Sequence, residues 1–259
     1  MNAVEVFGLT VDYGPHRVLS DLHLEVPESQ FVGLVGPSGC GKSTLLRCIA
    51  GLLRPTHGDV RVLGQPVNGP SPVVGILFQE DALLPWRTAQ ENVALGLRFR
   101  GAGRAEAQEE ALRWLERVGL GAFARHYPAE LSGGMKKRVA LAQVLASRPR
   151  VLLMDEPFAN LDAIVRHLVE RDFLVLAEQE RLTVLLVTHD LEEALLLSDR
   201  VAVMSAGPRA RVVSTYEVPF PRPRDLMGLR ADPRFGEILA RIWEDLRREV
   251  ARMGWEGAA

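Results

Sequence analysis

Lysine is nearly missing from this chain of 259 residues: Lys42, Lys136 and Lys137 stand alone, and the other 28 of the 31 basic side chains are arginine. The plain account is nucleotide bias in a GC-rich genome. A lysine kept in such a chain nevertheless marks a place where the broad guanidinium fork does not substitute. Cysteine is scarcer still, with Cys40 and Cys48 only, too few to staple a fold of this size and in keeping with a reducing compartment. Charge of one sign is also lacking: 31 bases against 33 acids leave −2, so no global basic field points to nucleic acid or an anionic membrane. Apolar runs such as Val184-Leu185-Leu186-Val187 fall far short of the roughly 20 residues that a bilayer requires. The first residues, Met1-Asn2-Ala3-Val4-Glu5, lack the basic-then-apolar order of a leader. What remains is an ordinary balance of 47% apolar and 25% charged residues, that of a cytosolic globular protein with one large domain or two modest ones.

Alternating apolar residues over Val4–Val11 and Val18–Val26 predict half-exposed strands joined by a turn at Tyr13-Gly14-Pro15. Phe31–Val35 is short, apolar throughout and ends at glycine, the pattern of a buried parallel strand. A helix follows from about Lys42 to Ala50, closed by Gly51. Further strands are expected near Asp59–Leu63 and Val73–Phe78. Residues 88–148 then read as helices only, before strands return at Val151–Met154, Thr183–Val187 and Val201–Met204. Helices over Asp162–Glu178 and Leu191–Leu197 separate those strands. The fold class is therefore α/β, interrupted by a helical insertion. After Val213, Pro219–Arg224 reads as a linker to a last amphipathic helix over Asp232–Arg252. Its stripe of Phe235, Ile238, Leu239, Ile242, Trp243 and Leu246 must be buried on its own subunit or on a partner.

Three motifs carry chemistry. Gly36-Pro37-Ser38-Gly39-Cys40-Gly41-Lys42-Ser43-Thr44 matches G-x-x-x-x-G-K-[ST] between a predicted strand and a predicted helix, the context in which that pattern cradles phosphate rather than being a chance glycine-rich turn. Its glycines let the backbone curl so that N–H groups and the positive helix end face one anion. Lys42 then supplies a compact ammonium to the β- and γ-phosphates, and the Ser43 hydroxyl a ligand for Mg²⁺. At Asp155-Glu156 an apolar strand ends in two carboxylates: Asp155 to hold Mg²⁺, and Glu156 to orient and deprotonate water, unless the pair merely caps the next helix. Leu131-Ser132-Gly133-Gly134-Met135 opens a helix with a second anion-binding end, a weak signal alone. A thiol in such a loop at a helix start is expected to be acidified, so Cys40 reads as reactive and protected by MgATP, and Cys48 as core.

Together with Asn160-Leu161-Asp162, Thr188-His189-Asp190 and Phe78-Gln79-Glu80, these motifs make the chain resemble the ATP-binding cassette ATPases from about residue 4 to 215. Within that family it is most similar to the nitrate/sulfonate/taurine-type importer subunits, on Phe78-Gln79-Glu80, Leu83-Leu84-Pro85-Trp86-Arg87-Thr88, Glu91-Asn92-Val93 and Met135.

The resemblance implies a P-loop NTPase core over 1–87 and 149–215, with a mostly parallel sheet flanked by helices and N-terminal antiparallel strands. An all-α signature subdomain over 88–148 and a C-terminal linker and helix over 216–259 complete it. It implies ATP and Mg²⁺ as cofactors, with Tyr13 stacking on adenine and Gly36 through Thr44 around the phosphates. Ser132, Gly133, Gly134 and Asp162 would serve nucleotide across a head-to-tail homodimer; Ser43, Gln79 and Asp155 would hold the metal, and Glu156, His189 and Gln79 would act in hydrolysis.

It further implies transmembrane permease subunits docked near Gln79–Arg98, an extracytoplasmic solute-binding protein and a peripheral place on the cytoplasmic face of the membrane. Trp86 either grips the permease or packs within the helical insertion. The chain departs from the family pattern at Met135, at Lys136-Lys137, at Gln143 and at Asn160. Nitrate, sulfonates, taurine and pyrimidine-type thiamine precursors stay open as solutes. A cassette ATPase of DNA repair or translation would normally carry long coiled coils or two fused cassettes, and a P-loop kinase would not use a water-activating glutamate.

Overall fold

The structure, a computed structural model, describes residues 1–252, and positions 253–259 of the expected C-terminal region lie outside the described residues. Along the chain run β1 (Asn2–Tyr13), β2 (His16–Pro27), β3 (Phe31–Val35), α1 (Lys42–Ile49), β4 (His57–Val62), β5 (Gln65–Pro66), β6 (Val74–Leu77), α2 (Ala89–Phe99), α3 (Arg104–Arg117) and α4 (Gly133–Ala146). They continue as β7 (Val151–Asp155), α5 (Ala163–Gln179), β8 (Thr183–Val187), α6 (Leu191–Leu197), β9 (Arg200–Met204), β10 (Val212–Glu217), α7 (Leu226–Arg230) and α8 (Pro233–Ala251). Two compact units result: Met1–Ser71 with the chain from Leu182 onward, and Pro72–Arg181. No described helix is long and apolar enough to cross a membrane.

In the first unit, β2-β1-β4-β5 form an antiparallel sheet, with Leu22, Leu24 and Val26 buried against solvent-facing His23 and Glu25. This is the period-two pattern of strands with one wet face. Beside it, β9 and β8 flank β3 in parallel, with Leu34 opposite Val187 and Ala202. All five residues of β3 and all five of β8 are buried, which is why both read as unbroken apolar runs. Two strands were not legible in the sequence. β10 adds to β9 antiparallel as an edge whose residues alternate between half-buried and exposed, too polar a run to stand out. β5 has only two residues.

The C-terminal segment corrects one expectation and decides between two alternatives. Pro219–Arg224 is no loose linker: Arg222 grips Asp199 through two nitrogens at 3.1 and 2.8 Å and lies 3.8 Å over the Phe31 ring. Arg224 is buried, reaching Asp199 at 3.0 Å and the Leu196 carbonyl at 3.0 Å. On α8, Phe235, Ile238 and Ile242 are buried where the helix meets α6, β9 and β10, so the stripe docks on its own subunit. Trp243, however, is 64% exposed. It lies about 100° round the helix from Ile242, at the edge of the buried arc.

In the second unit, β6 and β7 pair in parallel with Leu77 opposite Met154. The helical stretch predicted for 88–148 is α2, α3 and α4 with two short 3₁₀ turns, and it holds no strand. α2 starts in a capping box, in which Thr88 N–H donates to Glu91 Oε2 at 2.9 Å and Glu91 N–H to Thr88 Oγ1 at 3.3 Å. Trp114 and Leu115 of α3 are buried, and α3 packs on α2 and α4.

Candidate functional site

The phosphate loop leaves the carboxyl end of β3 and enters α1. Gly41, the N-cap, sits at φ 105° in the left-handed region, and a Cβ there would come within 2.7 Å of Leu19 Cδ2 and 2.8 Å of Val18 Cγ1. Glycine is thus required both by the backbone and by the strand packed behind it. Gly41 also offers no side chain to the first-turn N–H groups of α1, which stay available to an anion at the positive helix end. Nothing stands within 4 Å of the Cβ position of Gly39, which is exposed. Lys42 folds back over the loop, its ammonium donating to the Gly36 carbonyl at 2.7 Å and the Pro37 carbonyl at 3.1 Å. Ser38 is exposed beside it, and Pro37, Ser43 and Thr44 are half-buried.

His189 lies at the same carboxyl end, just past β8, the parallel neighbour of β3, and Thr188 N–H donates to the Leu34 carbonyl at 3.3 Å. Ligand sites of open α/β sheets form at such strand ends. The backbone around His189 is held tightly. Thr188 Oγ1 donates to the buried Glu193 carboxylate and accepts from Asp190 N–H at 3.0 Å. Asp190 caps α6, accepting from the N–H groups of Glu192 and Glu193. His189 itself is exposed. Tyr13 closes β1 with its ring 43% exposed, and the hairpin it begins approaches the phosphate loop through Val18 and Leu19.

The second unit repeats the arrangement. β6 delivers Phe78-Gln79 and β7 delivers Asp155-Glu156 at the carboxyl ends of two adjacent parallel strands. Asp155 is half-buried, and Glu156 takes φ 46°, a left-handed turn that ends the strand abruptly. Ser132 caps α4, its hydroxyl accepting from Met135 N–H at 3.3 Å. Asp162 caps α5 in the same way, accepting from Val165 N–H at 3.0 Å. These two helix starts lie side by side: a Cβ on Gly134 would come within 2.4 Å of Val165 Cγ1, and one on Gly133 within 3.7 Å of Leu161. Gly134 thus sits at a close approach of α4 to α5 that leaves no room for a side chain. Each candidate residue thus lies at a strand end or helix start of its own unit.

The expectation for Cys40 is corrected. Its thiol is 1% exposed, and burial pushes its pKa up despite the Lys42 ammonium 4.0 Å away, so it is not an acidified nucleophile. Cys48 is core as expected, its thiol pushed up to about 11 by burial.

Sequence reasoning overlooked two positioning groups. Asn92 is fully buried on α2 and holds the preceding loop, accepting from Leu84 N–H at 2.8 Å and donating to the carbonyls of Leu84, Arg87 and Thr88 at 3.0–3.1 Å. That loop lifts Trp86 to 70% exposure, so Trp86 is not packed within the helices. The signal was an asparagine set among Ala89, Val93 and Ala94 on a buried face. Lys137 is the other group, buried on α4. Near this loop, Phe78, Leu95, Phe99, Ala140 and Val144 line a groove of about 330 Å³ in which Phe99 is 82% exposed.

The family described as ABC transporter matches residues 19–159 of the chain. The nitrate import ATP-binding protein NrtD of Synechococcus elongatus is 40% identical over 92% of this chain and 88% of its own length. The bicarbonate transport ATP-binding protein CmpD of the same species is 42% identical over 87% of this chain and 82% of its own. Among solved structures, the ATP-binding cassette MJ0796, a dimer in a post-hydrolysis state bound to ADP and Pi, is similar with a TM-score of 0.73. It is 32% identical and covers 84% of this chain and 100% of its own.

Proposed function

The chain belongs to the ABC transporter family as one of its ATP-hydrolysing subunits, and from that premise we propose that it powers import of a small oxyanion as a head-to-tail homodimer beneath separate permease subunits. The observation that carries this reading is the phosphate loop: an uncapped, positive helix start behind a glycine-rich loop with a lysine folded over it. Those features fit a nucleotide triphosphate, and the donor set of Ser43 hydroxyl, Asp155 carboxylate and Gln79 amide oxygen fits the hard oxygen preference of Mg²⁺. When bound, ATP with Mg²⁺ supplies a phosphoanhydride whose charge is already partly neutralised.

In this reading the chain's own residues divide the work. Tyr13 stacks on adenine, a contact worth about 1–3 kcal/mol. Backbone N–H groups from Gly39 to Thr44 and the Lys42 ammonium orient the phosphates. Glu156 takes up the proton of the attacking water, and the His189 imidazole stabilises charge at the γ-position. Ser132 of one copy completes the site of the other, with Asp162 at the seam. Closure of the pair draws the permease through one conformation and hydrolysis resets it.

The permease is proposed to enter the groove lined by the exposed Phe78 and Phe99, with the exposed Trp86, carried by the loop that follows Phe78, as a further contact. That places the protein peripherally on the cytoplasmic face of a membrane, with a solute-binding protein on the far side. The names of NrtD and CmpD support nitrate or bicarbonate rather than a pyrimidine as solute.

Glu156→Gln tests the machinery. With ATP it should form a dimer on size exclusion and lose turnover; no dimer together with unchanged turnover refutes the scheme. ATP-dependent uptake of labelled nitrate, bicarbonate and taurine by the chain with its permease assigns the solute.

A further inference from the structure

Two of the three lysines are buried, and Lys42 belongs to the phosphate loop. The other is Lys137, on the second turn of α4 and 3% exposed. Its ammonium lies 2.7 Å from Asp81 Oδ1 and donates to the carbonyls of Gln79 at 3.1 Å and Phe78 at 3.4 Å. A lysine ammonium carries three donors and a compact charge; here it donates to two backbone carbonyls while its charge faces the Asp81 carboxylate. A planar guanidinium cannot match that set from one point, which accounts for a lysine surviving in an arginine-rich chain.

We propose that Lys137 and Asp81 form a clamp that positions Gln79 for hydrolysis by fastening its loop to the signature helix. The reasoning is geometric. β6 ends at Leu77, and the chain that follows has no strand or helix of its own until α2 begins at Ala89. Lys137 holds the carbonyl of Gln79 itself and of the residue before it, and Asp81 locks the far side. The same α4 begins at Ser132-Gly133, so one rigid helix carries both the loop's anchor and the signature. Phe78 and Asp81 also line the apolar groove, so an occupant of that groove pushes on residues the clamp holds. A buried ion pair contributes little net stability but fixes one arrangement among several, and removing one partner leaves a buried charge uncompensated. Lys137 is thus a positioning residue that acts through Gln79. The inference rests on the ATPase reading above.

The test uses the full chain with MgATP as probe and three variants, Lys137→Met, Lys137→Arg and Asp81→Asn. Lys137→Met should lower kcat about tenfold while KM for ATP stays within about twofold, because the phosphate loop is untouched. Amide hydrogen exchange over residues 78–84, read without nucleotide, should accelerate in both Lys137→Met and Asp81→Asn. Lys137→Arg should keep the charge but restore neither kcat nor exchange protection. Asp81→Asn removes the counter-charge but is nearly isosteric and keeps an oxygen acceptor facing the Lys137 ammonium, so it is the variant expected to fold even where Lys137→Met does not. Wild-type kcat together with wild-type exchange in Asp81→Asn overturns the proposal, as does full rescue by arginine. If the unmodified chain turns over no ATP, the ATPase reading fails, and the exchange comparison alone then decides whether the clamp exists.

Discussion

Replacing Asn92 by alanine removes four hydrogen bonds, but not four equal ones. The Thr88 carbonyl keeps the helical N–H of residue 92, and the Leu84 carbonyl keeps Arg87 N–H at 3.1 Å. Leu84 N–H and the Arg87 carbonyl lose the partner that Asn92 gave them. Each polar group orphaned in a buried place costs about 1–3 kcal/mol. The loop beside Trp86 is open enough for water to relieve part of that, so the expected loss is about 2–3 kcal/mol for the pair. In a chain of this size about 2–4 °C follows from each kcal/mol, so the melting temperature should fall by about 4–12 °C. Asn92→Asp sharpens the test. It keeps the Leu84 N–H bond but turns a carboxylate oxygen toward three carbonyls, so at neutral pH it should be at least as damaging as alanine. Circular dichroism melts report the stability, and the ratio of solute transported to ATP hydrolysed reports the presentation of Trp86. A melting point within about 1 °C of the unmodified protein for both variants would refute the reasoning.

Gly134→Ala puts a methyl within 2.4 Å of Val165 Cγ1, an overpacking that should cost about 1–3 kcal/mol in urea titration and slow ATP turnover. Adding Val165→Ala should recover both, and an unshifted midpoint in the single variant contradicts the close approach. Cys40 should react with iodoacetamide slowly near neutral pH and faster only as pH rises past the ordinary thiol range, since burial pushes its pKa up; rapid labelling at neutral pH would show an accessible thiolate instead. Asp245 accepts from Ser214 Oγ and Tyr216 Oη, each at 2.6 Å, and these bonds, Ser214's foremost, hold its carboxyl below the usual range against a smaller opposing effect of burial. A carboxyl depressed by folding stabilises above its unfolded value of about 3.9 and ceases to as pH falls through the folded one, so α8 should loosen on β10 only below about pH 4. Amide exchange across α8 as pH is lowered checks this, and an identical acid response in Asp245→Asn would sink it.

Most secondary structure was legible because its signals are local. β3, β7 and β8 are short unbroken apolar runs, and α8 declares itself through a Pro at its first position and a 3.6-residue stripe. β10 was missed because an edge strand with one face half-wet has no such run. The Pro219–Arg224 segment looked like a tether because its order comes from Asp199, a partner in another part of the chain. The expected reactivity of Cys40 failed for a similar reason. A helix start and a nearby lysine favour the thiolate, and both are visible in sequence, but the burial that outweighs them is not.

By itself the sequence determined which chemistry is present: a phosphate-cradling loop, an acidic strand end, a signature helix start and a histidine after an apolar strand. Each is a contiguous motif whose residue types and spacing answer one chemical need. Only the tertiary structure decided how those pieces are held. Strand adjacency brings Gly36 and His189 together within the first unit, and Gln79 and Glu156 together within the second. It also decided that Lys137 reaches back across 58 residues to hold the backbone of Gln79. The reason is physical: hydrogen bonds and burial depend on distance in space, and nothing in the local pattern of α4 states which loop will lie beneath its second turn.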